Sequence, residues 1–414
     1  MLRRDKDFKV ILMSATLCSS TYSKYFDEFD VSPPIHVGVS RFENTYYHLN
    51  DLIEMDDSRL NELCNRDFVR LNQMMQRENP QDPVKDKKVL LLQIDLAFKI
   101  ARCVGQPRET VLVFVPGIFA LSELAAKFEI LKETSSISYR VLCVHSSIPF
   151  SDQLAIFAQD DECVKICIAT NAAESSLTIP DCNNVICLGL EKRVLYSPKR
   201  HRVELVERWI SKASSTQRAG RTGRLRRGTV WRLYNQDFFH RMDDYPPPEM
   251  YSIPLDTILL NLASQFKCDM NQKGDTDTET RVRRVLEQVI DPPSPTNISR
   301  AFESLHENKF MDQHGITDFG IVASSLGVDL KLAQLIIYGY MCKVTPEAVA
   351  IAAALSLSNL PFRRASQFVH SDAEISEIVR NVHNGFKYVV FDRHVQYIHL
   401  FTLLLCHSNY KKIT

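Results

Sequence analysis

No stretch of this 414-residue chain reaches the roughly 18 uncharged apolar residues that a membrane-crossing helix needs. The nearest candidate, Val89 to Ala101, is interrupted by Gln93, Asp95 and Lys99, so no membrane partner is expected. The basic start, MLRRDKDFKVILMSATL, also lacks the apolar run of a secretory leader, because Asp5, Lys6, Asp7 and Lys9 crowd the short VILM segment. CxxC pairs are missing too: the 11 cysteines are odd in number and scattered, the closest two being Cys163 and Cys167. Zinc and disulfide frameworks are thereby disfavoured, and a reducing compartment, nuclear or cytoplasmic, is expected.

Net charge is another absence, with 50 Lys and Arg against 50 Asp and Glu. The balance conceals an asymmetry. Between Glu191 and Arg232 there are 13 basic residues and 3 acidic ones, or +10, which leaves −10 for the rest of the chain. A block of this kind marks either a polyanion-facing surface or a solvated face. With 45% hydrophobic and 24% charged residues the composition is that of a globular protein, and the length corresponds to two to four domains.

Along the chain, FKVILMSAT at 8–16 reads as a buried parallel strand ending in small polar residues. From about Ser32 to Tyr245 short apolar strands alternate with helices. The strands are Ile35–Val39, Val111–Val115, Arg140–Val144, Lys165–Ala169, Asn184–Leu188 and Thr229–Leu233, and the helices include Lys87–Arg102, Ile118–Leu131 and Ser151–Phe157. Such alternation predicts an α/β fold with a doubly wound parallel sheet. The triple proline Pro246 to Pro248 marks a boundary, since none of the three donates a backbone hydrogen bond. Beyond it a helix is expected over Leu255–Phe266, a loop over Asn271–Thr280, and a helix capped by Ser294 with Pro295 in its first turn. Further helices are expected at Leu330–Met341, at Pro346–Leu357 behind Thr345, at Ala373–Val382 and at Val395–Cys406.

The octet QRAGRTGR, Gln217 to Arg224, carries the most chemistry. Helical spacing would set Gln217, Arg221 and Arg224 on one face. Two planar, permanently charged forks, cleared of bulk by Gly220 and Gly223, suit a polyphosphate. Alone, the octet also reads as a solvated Arg/Gly-rich loop. Its company is Ser14-Ala15-Thr16, VLVFVPG at Val111–Gly117, HSSIP at His145–Pro149 and ATNAAESSLTIPD at Ala169–Asp181. In this order the motifs resemble those of the DEAH-box branch of superfamily 2 RNA helicases, from the third motif through the sixth, over nearly the whole chain.

The resemblance implies an architecture. Residues 1–30 would be a remnant of the first RecA-like domain carrying the SAT motif, and 31–245 the second RecA-like domain. A winged helix would span 246–302 and a partial helicase-associated, or ratchet, α-helical bundle 303–414. It also implies an activity, hydrolysis of ATP or another nucleoside triphosphate coupled to unwinding or to 3′ to 5′ translocation on RNA. Gln217 would orient the attacking water or the γ-phosphate, Arg221 and Arg224 would act as arginine fingers, and Phe157 would stack on the base. Ser146, Ser147, Thr170 and Asn171 would contact RNA phosphates, and Ser14 and Thr16 would couple nucleotide state to strand grip.

Arg218 and Arg226 stay open between structural and phosphate-steering roles. Lys192 follows Gly189 at the spacing seen after the family's fifth motif, while Cys187 and Pro180 replace family aspartates and Asp181 comes one step late. Leu326–Lys331 lacks the usual Pro and Arg. Neither a GxxxxGK[ST] loop nor a DExH tetrad occurs in the sequence, so the Mg2+ ligands and the grip on the triphosphate are expected from a first RecA-like domain outside the chain. The isolated chain is expected to be inactive, and any activator protein is unknown. Two rivals are a non-catalytic RNA-binding protein and a half-motor that completes its cleft with a partner subunit.

Overall fold

The structure, a computed structural model, describes residues 9–13, 19–29, 32, 33, 35, 42–55, 58–135, 137–146, 148, 153–158, 162–176, 179, 181–197, 202–268 and 277–356. The chain divides into two compact units, Met1–Ile253 and Pro254–Thr414.

The first unit is built on a six-stranded sheet. Its strands are β1 (Thr45–Tyr47), β2 (Thr110–Phe114), β3 (Tyr139–Val144), β4 (Val164–Ala169), β5 (Cys182–Cys187) and β8 (Thr229–Arg232). They lie in the order β1-β8-β5-β2-β4-β3, and every pairing is parallel. All residues of β2, β4 and β5 are buried, as near-continuous apolar runs in a sheet covered on both faces must be. Helices α4 (Lys87–Val104) and α5 (Ile118–Thr134) follow the sequence reading closely. Asp86 starts α4 by accepting a hydrogen bond from the Lys88 amide. On one face of the sheet, Leu112, Phe114, Ile156, Cys167, Ala219 and Val230 share a core cluster.

Three expectations are corrected. The described part of FKVILMSAT, residues 9–13, is not a strand, and Ile11 and Met13 are 82% and 89% exposed. A buried parallel strand forms only when neighbours satisfy its backbone, and among the described residues no strand pairs with this segment. Ile35, from the expected strand Ile35–Val39, is likewise outside any strand and exposed, and the rest of that stretch lies outside the described residues. The sheet edge is instead β1, whose three residues are too few to show a period. Finally, the basic block folds in part as an antiparallel hairpin, β6 (Leu190–Ser197) paired with β7 (Arg202–Trp209), where no strands were expected. Helix Ser58–Met75, α3, is a further element that the sequence pattern did not announce.

The second unit contains α9 (Asp256–Cys268), α10 (Thr278–Glu287) and α11 (Pro295–Glu307), then a short hairpin of β9 (Met311–Asp312) and β10 (Gly315–Ile316). Helices α12 (Asp318–Ser325), α13 (Leu330–Met341) and α14 (Thr345–Ser356) follow. Ser294 caps α11 as expected, accepting from the Asn297 amide, with Pro295 at its start. The expected loop through Thr280 is shorter, since α10 begins at Thr278. Its polar first turn masked the helical period. The expected helices Ala373–Val382 and Val395–Cys406 lie outside the described residues. Among the described residues no single helix is long and apolar enough to cross a membrane.

Candidate functional site

The octet begins on helix α7, Lys212–Ala219, and leaves it. Ser211 caps that helix by accepting from the Ser214 amide, and Ser215 shares a 2.8 Å hydrogen bond with the Tyr234 hydroxyl. The helix ends at Ala219, so Gln217 is helical while Arg221 and Arg224 lie in the turns that follow. The shared helical face is therefore corrected: two glycines within four residues end the helix. Gly223 has φ +78°, a left-handed conformation, and a Cβ there would collide with the Asn44 side chain. Asn44 in turn donates from Nδ2 to the Ala219 carbonyl at 3.3 Å.

Two residues hold this segment against the sheet. Arg218 is fully buried; its Nε lies 3.1 Å from Glu174 Oε2 and its Nη1 donates to the Leu190 carbonyl at 3.0 Å. Its guanidinium carbon also sits 5.1 Å from the centre of the Phe114 ring. Thr222, 3% exposed, donates to the carbonyl of Cys182 at 2.7 Å. The octet thus runs from beyond the C-terminal end of β5 back to its first residue. Arg218 takes the structural role that the sequence left open, and no spacing pointed to its partner Glu174, although it stands inside ATNAAESS. Arg226 makes a surface ion pair with Glu109 at 3.2 Å.

Arg221 and Arg224 are half-buried. Burial, together with the like charge of Arg224, draws the Arg221 guanidinium below the usual arginine range. Glu174 acts on Arg221 in the opposite direction, and Arg224 donates from Nε to the Gly220 carbonyl at 3.4 Å.

Phe157 is 46% exposed at the end of a 3-10 turn, Leu154–Phe157, while Ile156 beside it is fully buried in the sheet core. Outward exposure of a ring on an anchored turn is what stacking needs and an ordinary core Phe lacks. Among the described residues no group of three or more His, Cys, Asp or Glu is placed to hold a metal ion.

The proposed RNA contacts gather at the C-terminal edge of the sheet. Val144 and Ala169, the last residues of β3 and β4, are paired in register, which sets Ser146 near Thr170 and Asn171. Ser146 and Asn171 are exposed, whereas Thr170 is only 4% exposed and its amide donates to the Val144 carbonyl at 3.2 Å. Ser147, Ser14 and Thr16 lie outside the described residues. The structure adds Lys192 to this edge. A Cβ built on Gly117 would lie 2.9 Å from its side-chain carbons, and its charge, after burial, lowers the pKa of His145. Only its spacing after Gly189 pointed there.

Residues 93–226, which include Phe157, Thr170, Asn171, Lys192 and the octet, match the helicase conserved C-terminal domain. DHX29 of Mus musculus, an ATP-dependent RNA helicase, is 33% identical over 255 residues, covering 61% of this chain and 18% of its own length. DHX34 of Homo sapiens, described as a probable ATP-dependent RNA helicase, is 30% identical over 365 residues, covering 87% of this chain and 28% of its own. Residues 93–226 thus carry a helicase C-terminal domain, and the chain is similar along most of its length to ATP-dependent RNA helicases. The DEAH/RHA helicase HrpB of Escherichia coli shares its fold, with a TM-score of 0.63 at 22% identity over 86% of this chain and 38% of that one. The α/β RecA-like sheet expected of a DEAH-box protein is thus present. The chain spans only 26% to 28% of the length of the first curated relatives it matches.

Proposed function

We propose that this chain supplies the arginine-bearing RecA-like lobe of an ATP-dependent RNA helicase, together with a winged helix and part of a ratchet bundle. The observation that carries the reading is the octet's construction: Arg218 and Thr222 fix it to the sheet while Arg221 and Arg224, one on each side of Gly223, stay half-buried beside them.

In this reading the γ-phosphate of ATP is delivered by a P-loop domain that also provides the magnesium ligands. Gln217 orients the attacking water, and Arg221 and Arg224 neutralise the charge that develops on the transferred group. A single arginine in this position is worth about 10³ to 10⁵ in rate. Phe157 stacks on the base, and because every base has a π face it discriminates little among nucleoside triphosphates. Magnesium held by that other domain would neutralise charge on the triphosphate.

Ser146, Asn171, Thr170 and Lys192 hold the RNA backbone beyond the C-terminal ends of the strands, positioning it without reading its sequence, and Ser147 is given the same role from its motif alone. Ser14 and Thr16 couple the two events. The described cysteines are free thiols, which supports a nuclear or cytoplasmic setting.

Fluorescence polarisation with a short single-stranded RNA tests the RNA half of this reading. Kd should rise linearly on a log-log plot as salt is raised from about 50 to 200 mM, and should vary little between oligonucleotides of different sequence. An affinity indifferent to salt would refute it.

A further inference from the structure

Lys165, on β4, is 2% exposed at its side chain, a costly place for an ammonium group. Its donors are all used. Nζ donates to the carbonyls of Ile156 at 3.0 Å and Ala158 at 3.2 Å, and lies 2.9 Å from Oδ2 of Asp181, which balances its charge. The two carbonyls flank Phe157. At the other end of the same short segment, Gln153 donates from Nε2 to the carbonyls of His145 at 3.2 Å and Ile148 at 2.7 Å, closing the turn that contains Ser146.

A methionine at 165 would fill the same space without burying an ion pair, so burial alone does not explain a lysine here. What the lysine does that methionine cannot is grip two backbone oxygens on either side of an exposed ring. The segment 153–158 is thus held at both ends by side chains of other roles than packing, and in its middle by the buried Ile156.

We infer that Lys165 and Gln153 are positioning residues of the nucleotide site, forming with the segment 153–158 a strut that fixes Phe157 and joins it to the Ser146 turn. The inference rests on the reading of Phe157 as a base-stacking residue. Nucleotide contact and strand contact then share one rigid element, and loosening either end weakens stacking without touching the arginines.

The test uses the whole chain with Phe157→Trp as a reporter. Trp209 and Trp231 are 3% and 6% exposed, so a tryptophan at 157 dominates the fluorescence that acrylamide can reach. ATP should quench the reporter at the millimolar concentrations that a base contact without the other domain's phosphate grip requires. Adding Lys165→Met should raise the ATP concentration for half-quenching at least fivefold and speed hydrogen exchange of the amides at 154–158 at least tenfold. Gln153→Ala should give the same changes in smaller measure. Cys167→Ala, a buried change on the same strand, should lower thermal stability and leave both readouts in place, which separates positioning from bulk stability.

If ATP fails to quench the reporter, the stacking reading fails, and hydrogen exchange still decides whether the strut exists. If ATP quenches but Lys165→Met and Gln153→Ala alter neither readout, the inference is overturned. Should Lys165→Met not fold, Asp181→Asn, which removes the balancing charge and keeps an acceptor oxygen, takes its place under the same criteria.

Discussion

Arg218 and Glu174 form an ion pair, 3.1 Å from Nε to Oε2, with the arginine wholly buried and the glutamate side chain 11% exposed. The pair joins helix α7 to the short helix Ala172–Ser176 that follows β4, and so ties the arginine turn to the strand end that carries Asn171. Neighbouring arginines in one octet are differently placed: Arg218 is buried in the frame, while Arg221 and Arg224, the proposed phosphate ligands, are half-buried.

Arg218→Met should accordingly destabilise the first unit by about 3–5 kcal/mol, because Glu174 would be left buried without its counter-charge. Arg221→Ala, at a half-buried position where Glu174 would keep Arg218 as its buried partner, should cost less, about 1 kcal/mol. Urea unfolding followed by circular dichroism distinguishes the two. Equal losses would show that the octet is not divided in this way.

Acid should loosen the first unit through two histidines. Burial, then the nearby charges of Arg232 for His48 and Lys192 for His145, lowers both pKa values. A histidine whose folded pKa lies below the unfolded value of about 6.5 contributes stability that is complete above that pH and is lost as pH falls through the folded value. The thermal midpoint should therefore fall between about pH 7.5 and 5, and a His48→Gln, His145→Gln double variant should show a flatter dependence. An unchanged slope in that variant would contradict the assignment.

Thiol chemistry should sort the cysteines by burial. Desolvation pushes Cys143 up to about 11 and Cys64 and Cys182 up to about 12, with Cys167 raised further. The thiolate is the reactive form, so these four should resist iodoacetamide at about pH 8 in the native chain. Cys342, exposed at the end of α13, should be alkylated well before them. Peptide mass spectrometry after a short pulse reads the order. Early labelling of Cys167 or Cys182 would mean that the sheet core is open.

The sheet was legible from sequence wherever a strand is buried on both faces. Val111–Val115 and Lys165–Ala169 differ from β2 and β4 by one residue at each displaced end, because continuous apolar runs bounded by turn residues leave few alternatives. What escaped was structure without that signature. The hairpin Leu190–Ser197 with Arg202–Trp209 carries so many charges that it read as a basic block, and β1 is too short for any pattern.

For the site, the resemblance suggested Gln217, Arg221, Arg224 and Phe157, but gave no sign of how they are held. Glu174, Thr222, Gln153 and Lys165 act through backbone carbonyls and buried charges contributed by distant segments. No local periodicity announces such partners. A lysine inside the otherwise apolar VKICIA was the one visible anomaly, and it marked the brace beneath Phe157.

The most direct test is steady-state hydrolysis of Mg-ATP by the purified 414-residue chain in the presence of saturating single-stranded RNA. Under the proposed function Arg221 and Arg224 act on a triphosphate and metal held by another domain, and the chain by itself should show no turnover above the RNA-only blank. Turnover that appears with this chain alone and disappears on Arg221→Ala would contradict the account, since it would place a complete ATPase centre within these residues.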